Sequence, residues 1–257
     1  MPWPDWSGWV IAAIAAWVAF ALLVAFIMRT NPRGTVLAGL IWWAVRLYTH
    51  LWHRLRVDGR ESVPPTIHPG PLIVVMNHTA GIDPLLVQSV VPFEIRWMMS
   101  ADMRFPPLEW LWRYLRIIFV DRSNPKAAGP RDAIRHVTDG GILGIFPEGG
   151  LERPARHILP FAPGIGFLIQ RTGAPILPVI IDGTPIANTA WESLTRRSRS
   201  RLTFKPLIDY SASGLGHADI AADLRRRYLE WTGWTAADRW QPPAAPAEEP
   251  TERSAAS

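Results

Sequence analysis

Residues 72–84 read LIVVMNHTAGIDP: an apolar pentad ends in Asn77-His78, and an aspartate follows at Asp83. The pentad is apolar on both faces and rich in β-branched side chains, the pattern of a buried strand in a mostly parallel sheet. His78 then falls just past the strand's C-terminal end. On one continuous helix, residues five apart such as His78 and Asp83 would point about 140° away from each other, at about 100° per residue. A turn through Thr79-Ala80-Gly81, with Gly81 supplying backbone freedom, instead makes Asp83 the N-cap of a helix starting at Pro84. The carboxylate can then reach back to an imidazole nitrogen, fix the ring tautomer and leave the other nitrogen free to take a proton from a hydroxyl. Alone, the same pair reads more simply as a loop histidine and a helix cap.

Outward from this stretch, short apolar runs alternate with helical ones, the mark of an α/β domain. Strands are expected at 72–76, 95–98, 117–120, 142–146, 176–181 and 201–208, and helices at 84–90, 107–115, 130–138, 163–171 and 217–231. The fold class that follows is α/β, a mostly parallel mixed sheet flanked by helices.

Three further stretches fall at strand ends, where the loops of an α/β sheet build sites. In RIIFVDR, residues 116–122, Arg122 emerges from a strand beside Asp121, and its guanidinium fork suits a phosphate. In FPEGGLER, residues 146–153, Pro147 and the Gly149-Gly150 pair force an irregular turn that presents Glu148 and brings backbone N–H groups close to a ligand. A Gly/Pro corner at 161–166 precedes Leu177-Pro178-Val179, where proline inside a strand suggests an edge or a bulge.

Upstream, residues 9–28 form an uncharged run of 20 residues, long enough to cross a hydrocarbon core about 30 Å thick as a helix. No Lys or Arg precedes this run and no small-residue cleavage site follows it, which favours a transmembrane anchor over a signal peptide. Asp5 lies before it and Arg29 and Arg33 after it, so the positive-inside rule puts the remainder in the cytoplasm, as a single-pass membrane protein. Residues 35–57 make an amphipathic helix, with Arg46, His50, His53 and Arg54 on one arc and Leu40, Ile41, Leu47 and Leu51 opposite. Such a helix could lie in the lipid interface with its cationic face toward headgroups, dip into the membrane as a second short helix, or pack on the domain; His50 and His53 are read as solvated or interfacial. The domain organisation expected is an anchor over 1–34, the interfacial helix over 35–56, a catalytic domain over 57–234 and a disordered tail over 235–257.

The net charge of +5 suits an acidic partner, and the anchor makes anionic phospholipid a nearer one than nucleic acid, which is not expected. Arg196, Arg197, Arg199, Arg201 and Arg225 to Arg227 either press the domain onto the bilayer or form solvated faces. With no cysteine, disulfides and a cysteine nucleophile are excluded. No Gly-x-Ser-x-Gly elbow is present. A metal-dependent hydrolase built on His78, Asp83 and Glu148 lacks further ligands.

Taken in order, the four motifs resemble the glycerophospholipid acyltransferase family, the 1-acylglycerol-3-phosphate acyltransferase-like enzymes. Asn77-His78 with Asp83 is similar to that family's Asn-His-four-residues-Asp block. Ile118 to Arg122, Phe146-Pro147-Glu148-Gly149 and Leu177-Pro178-Val179 are similar to its next three. The resemblance implies transfer of a fatty acyl group from acyl-CoA or acyl carrier protein to the free hydroxyl of a lysophospholipid, 1-acylglycerol-3-phosphate first among them. It implies no cofactor beyond the thioester co-substrate and no metal. By the same resemblance His78 is the general base and Asp83 its support, while Asn77, Arg122, Glu148 and Gly149 serve substrate binding; Arg153, or alternatively Arg156, is expected to reach the phosphate from a shifted position. This chain departs from the family at Leu151, where an arginine is usual, at Arg116, where a glycine is usual, and at Ala162, where a lysine is frequent. Another lyso-lipid, such as a lyso-ornithine lipid, or an inactive membrane-binding relative is the alternative.

Overall fold

The computed structural model describes residues 6–121, 128–187 and 189–238. Helix α1 (Trp6–Arg29) is followed by α2 (Val36–Trp52), the short strand β1 (Arg56–Asp58), β2 (Leu72–Met76) and α3 (Asp83–Val90). Next come β3 (Arg96–Ser100), α4 (Glu109–Tyr114), β4 (Ile118–Val120), α5 (Ala128–Thr138), β5 (Ile142–Ile145), β6 (His157–Ile158) and α6 (Pro163–Thr172). The chain closes with β7 (Ile176–Asp182), α7 (Glu192–Thr195), β8 (Arg201–Phe204), α8 (His217–Thr232) and β9 (Thr235–Ala236).

Strands β1 to β5 with β7 and β8 form a 7-stranded sheet in the order β1-β8-β7-β2-β5-β3-β4, and β6 pairs with β9 apart from it. Strands β7, β2, β5, β3 and β4 run parallel, whereas β8 is antiparallel to β7 and carries β1 in parallel. This is the mostly parallel mixed sheet that the apolar runs imply. All five residues of β2 are buried. Alternate side chains enter opposite layers: Leu72, Val74 and Met76 join Leu86 and Val87 of α3, while Ile73 and Val75 join Val137 of α5, Ile165 of α6 and Leu224 of α8. A strand covered on both faces has no use for a polar position, hence the unbroken LIVVM.

Pro178 sits at neither end of the sheet. It pairs with Val75 in a strand flanked on both sides by others. The opposing chain adjusts instead: Lys205 N donates to the Pro178 carbonyl, while Ile176 pairs with Ile208. One more residue lies between 205 and 208 than between 176 and 178, so a bulge stands opposite the proline that cannot donate.

The N-terminal helices correct two expectations. Helix α1 has no buried residue, as a helix made to face lipid would have. Helix α2 ends at Trp52 rather than Val57, and its polar arc does not face outward as one: Arg46 and His53 turn inward, whereas His50 and Arg54 stay exposed. Arg46 donates to the Ser89 carbonyl at 2.9 Å, Thr49 to the Ser89 hydroxyl at 3.0 Å, and His53 is fully buried between Ser198 and Tyr48. Leu40, Ile41, Leu47 and Leu51 are left exposed on the outside. At the other end, residues 235–236 form β9 instead of beginning a disordered tail, and Arg225 clamps this corner through the carbonyls of Ile158, Leu159 and Ala237. Several of the remaining arginines are paired: Arg196 with Glu192, Arg201 with Asp58, and Arg226 and Arg227 with Asp223.

Candidate active site

The site begins where β2 and β7 part. In their parallel register Ile73 N donates to the Pro175 carbonyl, and the same ladder calls for a bond from Val179 N to the Val75 carbonyl. The Tyr228 hydroxyl from α8 is inserted there, accepting from Val179 N at 3.2 Å and donating to Val75 O at 2.8 Å. One step further the main chains no longer reach each other, and the Asn77 side chain fills the gap. Its Nδ2 donates to Ile181 O at 2.9 Å and its Oδ1 accepts from Ile181 N at 2.8 Å. The sheet thus opens at the C-terminal ends of its central strands, the usual place for a site in an α/β fold.

Beyond Asn77 the chain turns sharply into α3. Asp83 is the first residue of that helix rather than its cap, and its side chain points back into the turn. Oδ2 accepts from Thr79 N at 2.7 Å, Ala80 N at 2.9 Å and His78 Nδ1 at 3.0 Å, and Oδ1 accepts from the Thr79 hydroxyl at 3.0 Å. Four donors converge on one buried carboxylate, so Nδ1 of His78 carries the proton and Nε2 is the basic nitrogen. Among the described residues Nε2 has no hydrogen-bond partner. Gly81 is required for space and not for its torsion freedom: a Cβ there would lie 2.3 Å from the Ala190 carbonyl.

The His78 ring, 19% exposed at its side chain, stacks on Phe146 with centroids 4.0 Å apart, and Phe146 stacks in turn on Trp97. The turn after Phe146 is tied to the histidine loop at several points. Glu148 Oε1 accepts from His78 N at 3.0 Å and Oε2 from Leu159 N at 2.9 Å. Glu152 N donates to the His78 carbonyl at 2.7 Å. Arg153 Nη1 donates to the carbonyls of Thr79 and Glu152, and Nη2 to that of Ala187. Burial pushes the Glu148 carboxyl up to about 8 despite its two amide donors, and the Glu152 carboxyl up to about 7. Oε2 of Glu152 is buried without a hydrogen-bond partner.

The structure therefore brings His78 and Asp83 together and redistributes the residues expected to touch substrate. Asn77, Glu148 and Arg153 direct their polar atoms at main-chain groups of the site itself, because the splayed strands and the irregular turn leave those groups without ladder partners. Gly149 stands exposed at the apex of its turn, with φ of 69° and open space around it. Arg122 lies outside the described residues. Phe146, Thr79 and Tyr228 are contributors that the sequence did not single out; the first two lie inside motifs already noted, whereas Tyr228 reads only as one apolar-face residue of α8. Among the described residues no three His, Asp or Glu side chains gather as metal ligands.

Comparison with known proteins places this geometry in a family. The family model described as Acyltransferase matches residues 54–182. A protein named 1-acyl-sn-glycerol-3-phosphate acyltransferase from Limnanthes douglasii is 29% identical over 198 residues, covering 74% of this chain and 65% of that protein. One of the same name from Borreliella burgdorferi is 30% identical over 135 residues, 51% of this chain and 52% of its own length. The chain thus spans less than two thirds of these relatives. The crystal structure of the 1-acyl-sn-glycerophosphate acyltransferase PlsC from Thermotoga maritima superposes with a TM-score of 0.59 at 22% identity, over 91% of this chain and 94% of that one, and has the same fold.

Proposed function

Because the chain belongs to the Acyltransferase family, we propose that it transfers a fatty acyl group from a thioester, acyl-CoA or acyl carrier protein, to the free hydroxyl of a lysophospholipid. The observation that carries this reading is the 3.0 Å contact between His78 Nδ1 and a four-times-bonded Asp83, with Nε2 left as the basic nitrogen. In the reaction, Nε2 takes the hydroxyl proton as the oxygen attacks the thioester carbonyl. Asp83 supports the resulting imidazolium. Collapse of the tetrahedral adduct breaks the C–S bond, and the imidazolium returns the proton to the departing thiolate. No acyl-enzyme is needed.

Asn77, Glu148 and Arg153 act in this scheme as positioning residues: they set the place and angle of the histidine loop through its main chain. The relatives' names support 1-acylglycerol-3-phosphate as the acceptor. One observation favours a second acceptor class. Leu151 stands where the family resemblance has arginine, and the Arg153 guanidinium is taken up by carbonyls, so a lyso-lipid with another headgroup, such as a lyso-ornithine lipid, is the second reading. Helix α1, 24 residues long with an 18-residue stretch of mean hydropathy 2.8 and nothing buried, supports membrane attachment, with the domain on the cytoplasmic side by the Arg29 and Arg33 that follow the apolar run.

Isolated membranes carrying the protein test this directly with both thioester donors and a panel of lyso-lipids. His78→Ala should lower acyl transfer about 100- to 10,000-fold. Transfer near the unaltered rate would remove His78 as the base; turnover of no lyso-lipid by the unaltered protein would remove the reaction.

A further inference from the structure

A cavity of about 160 Å³ lies at the other end of the sheet from His78, between the α1–α2 turn at Pro32 and the starts of β3 and β5. Strands of four or five residues at about 3.3 Å each separate it from the His78 crevice by roughly 15 Å. It is too small for a drug-sized ligand, whose sites run from about 300 Å³ upward, and suits a single compact group.

Its polar lining sets two guanidinium groups, Arg96 and Arg116, and two imidazoles, His68 and His136, against one carboxylate, Glu94. That carboxylate is already answered within the protein, since Arg33 Nε donates to both of its oxygens at 3.0 and 3.1 Å. The two cavity arginines are tied together, with Arg96 Nε donating to the Arg116 carbonyl at 2.6 Å. Among the described residues the Arg116 guanidinium has no hydrogen-bond or salt-bridge partner. Arg116 is also held at φ 52°, a left-handed conformation that favours glycine, at the position where the family resemblance has glycine. A cation thus stands at a strained position with no ion-pair partner among the described residues. His136 is fixed beside it, its Nε2 3.1 Å from the Ile142 carbonyl and its ring packed on Gly141, where a Cβ would fall 2.2 Å from the ring.

We propose that this cavity is an anion site that takes one phosphate group between the Arg96 and Arg116 guanidinium forks. The phosphate belongs either to an anionic lipid headgroup, which the adjoining end of α1 would bring within reach, or to a small soluble phosphate. The site is separate from the His78 crevice and does not depend on the acyl-transfer reading.

The test uses the full chain in neutral detergent, titrated with inorganic phosphate and with glycerol 3-phosphate while the ring resonances of His68 and His136 are followed. A second arm places it in phosphatidylcholine nanodiscs containing either phosphatidic acid or an equal charge of fatty acid and follows the same resonances. Saturable binding that shifts the His136 signals, survives His78→Ala and weakens about tenfold or more in Arg116→Gly and Arg96→Gln is the expected result. Glycine suits the Arg116 backbone, so that variant should keep or raise its melting temperature, which separates lost charge from lost fold. Arg116-dependent shifts confined to phosphatidic acid would assign the phosphate to a lipid, and Arg116-dependent binding of the soluble phosphates alone would assign it to a small ester. Binding unchanged by both arginine substitutions, or absent from both arms, would overturn the proposal.

Discussion

The carboxamide of Asn77 pairs with both main-chain groups of Ile181, donating at 2.9 Å and accepting at 2.8 Å across the point where β2 and β7 separate. A side chain here does what a backbone does elsewhere in the sheet. Fully buried and with both ends engaged, Asn77 holds the crevice open to a fixed width, and the next residue in the chain is His78.

The Tyr228 hydroxyl performs the same service one step earlier, so its removal should be felt at the site. Tyr228→Phe leaves Val179 N and Val75 O without their relay, and is expected to cost about 1–3 kcal/mol of stability, read from urea denaturation. Unchanged stability would mean that the two strands simply close onto each other.

Asp83→Asn preserves shape and reverses chemistry. An amide nitrogen must then face one or more of four converging donors, and His78 loses the acceptor that fixes its tautomer. Acyl transfer should fall about 100-fold or more, together with a drop in thermal midpoint. A variant that kept its rate at neutral pH would show that Nε2 basicity does not depend on this carboxylate.

Glu152 makes stability depend on pH. Burial raises its carboxyl from the ordinary 4.5 to about 7, so the folded state holds a proton that the unfolded chain has already lost between those values. The contribution is complete below pH 4.5 and disappears as pH rises through about 7; Glu148, raised to about 8, acts with the same sign. Glu152→Gln should therefore flatten the decline in unfolding free energy between pH 5 and 8, by an amount on the order of a few kcal/mol. Parallel stability curves for the two proteins would contradict a buried, protonated Glu152.

The outward face of α2 is expected to meet lipid. Leu47 and Leu51 are 61% and 69% exposed on a helix that Arg46 and Thr49 tie to Ser89 of α3. Leu47→Glu with Leu51→Glu should leave the circular dichroism spectrum and melting temperature nearly unchanged, as surface substitutions do. The same pair should shift protein from the membrane fraction to the supernatant once α1 is deleted, because each buried leucine contributes about 1.5–3 kcal/mol. Loss of the melting transition instead would place this face inside the fold.

How much was legible in advance differs element by element. β2 was readable to the residue, because a strand covered on both faces must be apolar throughout, and only a few residue patterns satisfy that. The His78–Asp83 contact was readable in part: spacing ruled out a shared helix face and a turn ahead of Pro84 let the carboxylate reach back. But the pair alone read more simply as a loop histidine and a helix cap, and the three later motifs were needed to single it out. The apolar length of α1 was readable as well, and among the described residues no element buries it.

Other features were written in the sequence only as capacities. Periodicity identified the two faces of α2 but not which one turns inward, for a lipid tail and a protein core are equally apolar. Asn77, Glu148 and Arg153 were recognisable as polar groups at strand ends, but whether each bonds a substrate or a stranded main-chain amide depends on where β2 and β7 part. Pro178 pointed to an irregularity, and the chain solved it on the opposing strand. Sequence by itself determined the central parallel strands, the spacing of His78 and Asp83 and the apolar helix, all of them local patterns. Only the tertiary structure decided which polar atoms remain free for chemistry, because that is settled by partners more than a hundred residues away, as Ile181 is from Asn77.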